Sequence, residues 1–296
     1  MTISETQLTT WSTLPSSKQH RDTYASIRGV LLDSRAPYHG RSKDVYLQGS
    51  YGNDTNVYAD SDVDIVICSD ASFSYDLDHI LDIEKRAFQN DHPSVGLSIE
   101  SFQTDVYAWL RSQYGSDVQP PKKAMQIKAT NSRRAADVLI CTEHRQHINF
   151  NGSARTFWPG VKFITSDGTA IINFPKEHAK QCTAKHQATN DWFKPTVRIF
   201  KNMRNRMIEK GSLQDGVAPS YYIEGALSNV PNGHYGVTYA NTVASCLDWL
   251  QKANKDRLLC AHNLRWLVRD NKPDSWPTVK FDTWLSATIN FWNAGG

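Results

Sequence analysis

Apolar positions along the chain fall into an early half that mixes strand and helix periods and a later half with helical spacing almost throughout. Tyr24, Ile27, Val30 and Leu31 recur at helical intervals, predicting a helix over 16–34 that Ser16 or Ser17 can cap. Pro37 and Gly40 close its exit. The run Val45-Tyr46-Leu47 predicts a strand over 44–48, and the β-branched run after Asp64 predicts a second over 62–68. Amphipathic helices follow over 77–90 and 101–114, stopped by Gln119-Pro120-Pro121. Residues 124–129 and 135–141 read as strands joined in hairpin fashion through Asn131-Ser132-Arg133-Arg134. Short strands or lid segments are expected at 148–150, 161–163 and 171–174. From Pro175 the pattern predicts helices over 178–185, 193–210, 220–229, 239–254, 256–268 and 278–292. The pattern therefore implies an α+β chain with its boundary near Phe174: a half mixing strands and helices over 1–174 and a helical half over 175–296. No internal repeat or low-complexity run interrupts it.

Composition narrows the classes. The 296 residues are 40% hydrophobic and 21% charged, an ordinary globular balance able to build a sizeable core. No apolar stretch approaches the ~18 residues of a membrane span, and MTISETQLTTW lacks the basic start and apolar block of a signal peptide. Five scattered cysteines without Cys-x-x-Cys argue against a disulfide framework and a structural zinc, and make a reducing cytoplasm the expected home. A net charge of +3 is too slight for a protein that coats nucleic acid, so long nucleic acid is not required as a partner.

The chemistry concentrates in 49–68, GSYGNDTNVYADSDVDIVIC. In an extended strand Asp62 and Asp64 project to one face, roughly 6–7 Å apart along it. Two carboxylates so placed repel unless a cation lies between them, and Mg²⁺ is the usual choice where phosphates are handled. Gly49 lets backbone N–H groups approach a phosphate, and Ser50 adds a hydroxyl donor. The plainer reading is a turn followed by a strand that opens with acids. Against it, Asp64 leads directly into Ile65-Val66-Ile67, where an unpaired charge would be costly. Asp137 is a third acid inside an otherwise apolar strand. It converges with the first two if the strands are neighbours, or it pairs with Arg133 or Arg134. Glu143-His144-x-x-His147 lacks the His-Glu-x-x-His order of a metalloprotease, and His178 and His186 are wrongly spaced for a zinc pair; these histidines read as ordinary polar residues. No Gly-Lys-Ser/Thr phosphate loop is present.

Gly-Ser, then Thr-Asn-Val, then Ser-Asp-Val-Asp-Ile-Val resembles the DNA polymerase β-like nucleotidyltransferases, and among them the CD-NTases, bacterial relatives of cyclic GMP–AMP synthase. The resemblance extends to the later half: Arg198 and Lys201 share a face of VRIFKNMRNR, and Ser220 opens a helix in PSYYIEG. It implies a mixed sheet flanked by helices, completed by a C-terminal helical domain. It further implies two Mg²⁺ ions, with Mn²⁺ as a substitute, held by Asp62, Asp64 and Asp137. Gly49, Ser50, Lys201 and Ser220 would receive the triphosphate, with Arg198 beside them. Asn173 lies where the family's lid approaches the base, although an Asn before Phe-Pro also suits a turn. Arg204 and Arg206 read as a solvated face. The implied activity joins and cyclises nucleotides from NTP substrates into a cyclic di- or trinucleotide of bacterial antiphage defence. Nucleotidylation of a tRNA end, a small molecule or a protein, and nucleotide sensing without catalysis, remain open beside it. Asn293-Ala294-Gly295-Gly296 reads as a short flexible end, and the resemblance implies a ubiquitin-activating or conjugating-like partner acting on Gly296.

Overall fold

A computed structural model describes residues 3–16, 18–57, 62–92, 99–120, 123–151 and 154–296. In chain order the elements are α1 (Glu5–Ser12), α2 (Lys18–Leu31), β1 (Lys43–Leu47), the single turn α3 (Gly49–Gly52), β2 (Val63–Asp76), α4 (Asp82–Asp91) and α5 (Ile99–Tyr114). Next come β3 (Val118–Gln119), β4 (Met125–Ile127), β5 (Ala136–Asn151), β6 (Ala154–Ile164) and β7 (Ala170–Asn173). The remainder is α6 (Pro175–Ala188), α7 (Phe193–Glu209), α8 (Ser220–Asn229), α9 (Tyr239–Lys252) and α10 (Thr278–Ala294). The chain divides into two compact units: a sheet unit of Ser17–Gln48 and Ser61–Glu177, and a helical unit of Met1–Ser16, Gly49–Asp60 and His178–Gly296.

In the sheet unit the strand order is β1-β2-β5-β4-β3, with β6 on β5 and β7 on β6. β2 and β5 run parallel, and the other pairs are antiparallel. Strand alternation sorts the side chains into two layers. Val63, Ile65 and Ile67 of β2 and Val138 and Ile140 of β5 pack with Ile27 and Leu31 of α2 and Phe102, Val106 and Leu110 of α5. The opposite face buries Val66, Cys68, Leu139 and Cys141 against Val161 and Phe163. The hairpin expected around 131–134 is present as the β4–β5 pair. Both β2 and β5 run well past their expected ends, to Asp76 and Asn151, because their later halves are polar and lack the apolar run that marks a buried strand.

The helical unit packs α1, α7, α8, α9 and α10 around one core that includes Phe200, Trp276 and Trp284. α7 is central and buries both apolar and charged side chains: Val197, Ile199, Phe200 and Met203, but also Lys194, Arg198 and Lys201. Two local expectations change, and one helix was not expected. Residues 256–268 are not a helix; after a short turn at Lys255–Arg257, Leu259 bridges Trp266 and Val268 bridges Trp276, with Asn263 in the left-handed region at φ 63°. That backbone stops a helix. α1, capped by the Ser4 side chain, was not signalled by its weak apolar pattern. The end expected to be loose is ordered: α10 continues to Ala294, Gly295 caps it at φ 87°, and the Gly296 N–H donates to the Phe291 carbonyl at 3.0 Å.

Candidate active site

In the sheet unit the three acids gather where β2 and β5 begin. Asp64 is the direct partner of Asp137 in the parallel register, one rung before Ile65 and Val138. Neighbouring strands are roughly 4.8 Å apart, and residues on one rung point to one face. That face is the one opposite α2 and α5; Asp62, immediately before β2, is near enough for its charge to act on Asp137. Each acid is half-buried. Burial, and after it the Asp62 charge, pushes the Asp137 carboxyl above its usual range, while a hydrogen bond from Gln126 pulls the other way. Of the two arginines that could have paired with Asp137, Arg133 is engaged elsewhere: it binds Asp117 at 2.9 Å and lies over the Tyr114 ring. Such a face of hard carboxylate oxygens, each unfavourable to its neighbours' charge, suits a hard divalent cation. Residues 58–61 of the motif lie outside the described residues.

Asn173 ends β7. Its Oδ1 accepts the Phe174 N–H at 2.8 Å, so the amide serves the turn into α6. Gly160 of β6 lies behind it: a Cβ there would meet the Asn173 carbonyl and the Phe174 ring, each at 2.9 Å.

The helical unit holds the residues expected at phosphates, in an arrangement the sequence did not reveal. Gly49 adopts φ 64°, which glycine takes without strain, and starts the turn that carries Ser50. The loop after it folds on itself through Asn53 N–H to Gly49 O at 3.1 Å and Thr55 N–H to Ser50 O at 2.9 Å. Lys194, Arg198 and Lys201, spaced four and three apart on α7, form a basic stripe that holds this loop. Lys194 Nζ is 3.1 Å from Asp54 Oδ2. Arg198 donates to the Asp54 carbonyl at 2.6 Å and the Ser12 carbonyl at 2.5 Å. Asp54 is itself left-handed at φ 54°, a conformation the stripe keeps in place. Lys201 is fully buried, and its Nζ contacts Ser50 Oγ (2.9 Å), Thr55 O (3.1 Å), Thr55 Oγ1 (3.2 Å) and Glu224 Oε1 (2.9 Å). Lys201 therefore reaches Ser50, whereas the guanidinium of Arg198 is given to backbone carbonyls.

Glu224 is the hub the sequence reading missed. Its carboxylate also accepts from Thr55 Oγ1 at 2.5 Å and from Asn53 Nδ2 at 3.0 Å, and it faces His178 Nε2 at 2.6 Å. Burial alone would raise the Glu224 pKa, but the Lys201 ammonium, His178 and the Thr55 hydroxyl outweigh it and hold the carboxyl well below the usual range. Burial works against a charged His178 too, yet Cys182 and Glu224 beside it lift its pKa to about 10. The imidazole stacks on Tyr221, so it is no ordinary polar surface residue. Among the described residues, His178, Cys182 and Glu224 place donor atoms within 4.8 Å of one another, a group of types that could hold a metal ion. The Lys201 ammonium already supplies the positive charge this carboxylate faces.

Ser220 opens α8, where its Oγ accepts from Arg204 at 3.1 Å, and Arg204 also holds the Ala218 carbonyl at 3.0 Å. Arg204 is thus drawn to a helix start instead of solvent, while Arg206 pairs with Glu209 on the exposed side. The only sequence signal for this is its position three residues after Lys201, on the same stripe.

Residues 180–293 match the cGAS/DncV-like nucleotidyltransferase C-terminal helical domain. The whole chain is similar to a cyclic nucleotide synthase of Staphylococcus haemolyticus, 33% identical over 301 residues and 99% of each chain. It is equally similar to a cyclic UMP-AMP synthase of Rhodothermus marinus, 33% identical over 301 residues and 100% of each chain. The solved structure of the Rhodothermus marinus synthase with Apcpp and Upnpp superposes with a TM-score of 0.87 at 32% identity, covering 99% of this chain and 98% of that one. The Elizabethkingia meningoseptica cyclic dinucleotide synthase with GTP and Apcpp gives a TM-score of 0.77 at 27% identity, covering 99% of each. Similar over its full length to two cyclic nucleotide synthases, and matching the family's C-terminal helical domain over 180–293, the chain belongs to the cGAS/DncV-like nucleotidyltransferases, the CD-NTases, and is a nucleotidyltransferase.

Proposed function

We propose that this enzyme joins two nucleoside triphosphates into a cyclic dinucleotide, or three into a cyclic trinucleotide, releasing pyrophosphate at each step, as a signal in bacterial antiphage defence within the cytoplasm. The observation that carries the reading is the Asp64–Asp137 rung, with the Asp62 charge acting on Asp137, in a chain similar over its full length to a cyclic UMP-AMP synthase. Asp62, Asp64 and Asp137 would hold the Mg²⁺ ions, or Mn²⁺ in their place; their all-oxygen donor set fits that choice. When bound, such ions neutralise triphosphate charge and acidify the attacking hydroxyl. The remaining work is positional. Ser50 offers a hydroxyl on a turn fixed from below by Lys201, and Gly49 keeps the backbone N–H groups there approachable. Ser220, the Arg204 guanidinium and the opening of α8 present a second set of donors to phosphate oxygens. Holding the donor nucleotide at two points restricts it to geometries from which a hydroxyl attacks in line with the leaving pyrophosphate. We assign Arg198 to the loop rather than to phosphate.

Asn173 is assigned to base recognition. With Oδ1 accepting from Phe174, its amide offers Nδ2 as a donor, which matches a carbonyl edge such as that of uracil and not an exocyclic amine. UTP with ATP is therefore the pair to test first. Gly296, whose N–H donates to the Phe291 carbonyl, is assigned as the residue on which a ubiquitin-activating or conjugating-like partner acts. Incubation of labelled triphosphates singly and in pairs, with product separation before and after phosphatase, tests the main reading. Phosphatase-resistant label that depends on Asp64 is expected. Label transferred to added RNA or protein, or no turnover with any pair, would overturn it.

A further inference from the structure

The polar rung of the sheet does not end at Asp137. Asp64 faces Asp137 across the parallel β2–β5 pair, and on the far side of β5 the antiparallel β4 sets Gln126 directly against Asp137. β3 then sets Gln119 against Gln126. Four neighbouring strands thus give one line of polar side chains, two acids followed by two amides, all on one face of the sheet. Alternation along β4 agrees: Met125 and Ile127 are buried in the layer beneath α2 and α5, and Gln126 between them is exposed on the other side. Residues opposite one another on adjacent strands hold their Cβ atoms roughly 5 Å apart, and the Gln126 amide spans that gap to hydrogen-bond the Asp137 carboxylate. Gln119 is employed differently, since its Nε2 donates to the Ser116 carbonyl at 3.1 Å. An aspartate carboxylate turns easily about its last bond. A hydrogen bond to one oxygen removes that freedom and fixes where the other oxygen points. An amide N–H does so without charge, whereas an ammonium or guanidinium at Gln126 would repel any cation that the acids hold.

We propose that Gln126 is a positioning residue for the acid rung: by donating to one oxygen of Asp137 it turns the other toward Asp64, and so sets the affinity of the rung for a divalent cation. This rests on the assignment of the cations to Asp62, Asp64 and Asp137 made above. Ligating carboxylates are themselves hydrogen-bonded, and losing such a partner costs about 10–100-fold in metal affinity or activity. Gln126 is exposed, so water can occupy part of the space that a smaller or apolar side chain leaves. That places the expected loss at the lower end, about tenfold. For the same reason the fold does not depend on the amide: surface substitutions of this kind stay within about 0.5 kcal/mol.

The test is a titration of the full chain with Mn²⁺ in the absence of nucleotide, the free ion counted by electron paramagnetic resonance, beside a melting curve in EDTA. Asp64→Asn tests the underlying assignment: if it binds Mn²⁺ as tightly as wild type, that assignment fails, and the proposal with it. Gln126→Leu has a similar length and no donor. It is expected to raise the Mn²⁺ dissociation constant about tenfold while moving the melting temperature in EDTA by less than about 2 °C. Gln126→His restores an N–H donor and is expected to recover at least half of that loss on a logarithmic scale. In turnover, Gln126→Leu should need about tenfold more Mg²⁺ for half-maximal pyrophosphate release and should reach a rate within about threefold of wild type at saturation. Unchanged Mn²⁺ affinity in Gln126→Leu, with Asp64→Asn impaired, would overturn the positioning role while leaving the acid assignment standing. So would a Gln126→His variant as weak as Gln126→Leu, or a rate deficit that saturating Mg²⁺ does not relieve.

Discussion

Replacing Asp137 with Asn should make the protein more stable and less active, and the size of each effect can be worked out. Asp137 faces Asp64 across one parallel rung. Two carboxylates about 5 Å apart repel by roughly 3 kcal/mol at an effective dielectric constant near 20. Both are half-buried, and screening by solvent brings the net repulsion nearer to about 1 kcal/mol. In EDTA, then, Asp137→Asn should melt higher than wild type, by about 2–4 °C for a chain of this size. Magnesium reverses the order. At a concentration about a hundredfold above its dissociation constant, a cation that binds only the folded state stabilises by about 2.7 kcal/mol. Wild type should gain that shift and Asp137→Asn should lose most of it. Pyrophosphate release should fall at least about a hundredfold, equivalent to about 2.7 kcal/mol of lost transition-state stabilisation. Melting curves in EDTA and in Mg²⁺, paired with a pyrophosphate assay, give both readouts from one preparation. A variant that melts lower in EDTA and still releases pyrophosphate would show Asp137 to be a structural anion and refute the argument.

Three further outcomes follow. Asn173→Ala should change which triphosphate is consumed, measured as the ratio of UTP to CTP incorporation; an unaltered ratio would remove Asn173 from base recognition. Gly160→Ala places a methyl group against the Asn173 carbonyl and the Phe174 ring, so it should cost about 1–3 kcal/mol by denaturant titration and disturb the same ratio. His178 rises from 6.5 to about 10 in the folded state, where burial opposes the charge and Cys182 and Glu224 restore it. Its contribution is complete below about pH 6.5 and is lost as pH climbs toward 10, a fall on the order of a few kcal/mol. The melting temperature should drop across that window in wild type and drop less in His178→Gln.

The parts of this site that could be read from the chain were those whose chemistry is written locally. Asp62 and Asp64 sit two apart ahead of a β-branched run, and the strand that this run forms carries Asp64 onto the rung it shares with Asp137. Ser220 follows a proline at a helix start, and α8 spans the residues its pattern predicted. Glu224 left no such mark: its partners Asn53 and Thr55 lie 171 and 169 positions away, and a single Glu in an amphipathic helix looks like any other. The α7 stripe did leave a signal. Lys194, Arg198 and Lys201 recur four and three residues apart in the first half of the helix, interleaved with the buried Phe193, Val197, Ile199 and Phe200. A stretch so dense in apolar side chains is buried, so charges at helical spacing within it must meet anions or carbonyls. Read that way, the stripe predicts that α7 supports a loop rich in backbone oxygens and needs a carboxylate from somewhere else in the chain. The same reasoning explains why these three positions are not leucines. Apolar side chains there would pack as well and cost less desolvation, but they would leave the left-handed Asp54 and the Ser50 turn with nothing to hold them in one conformation.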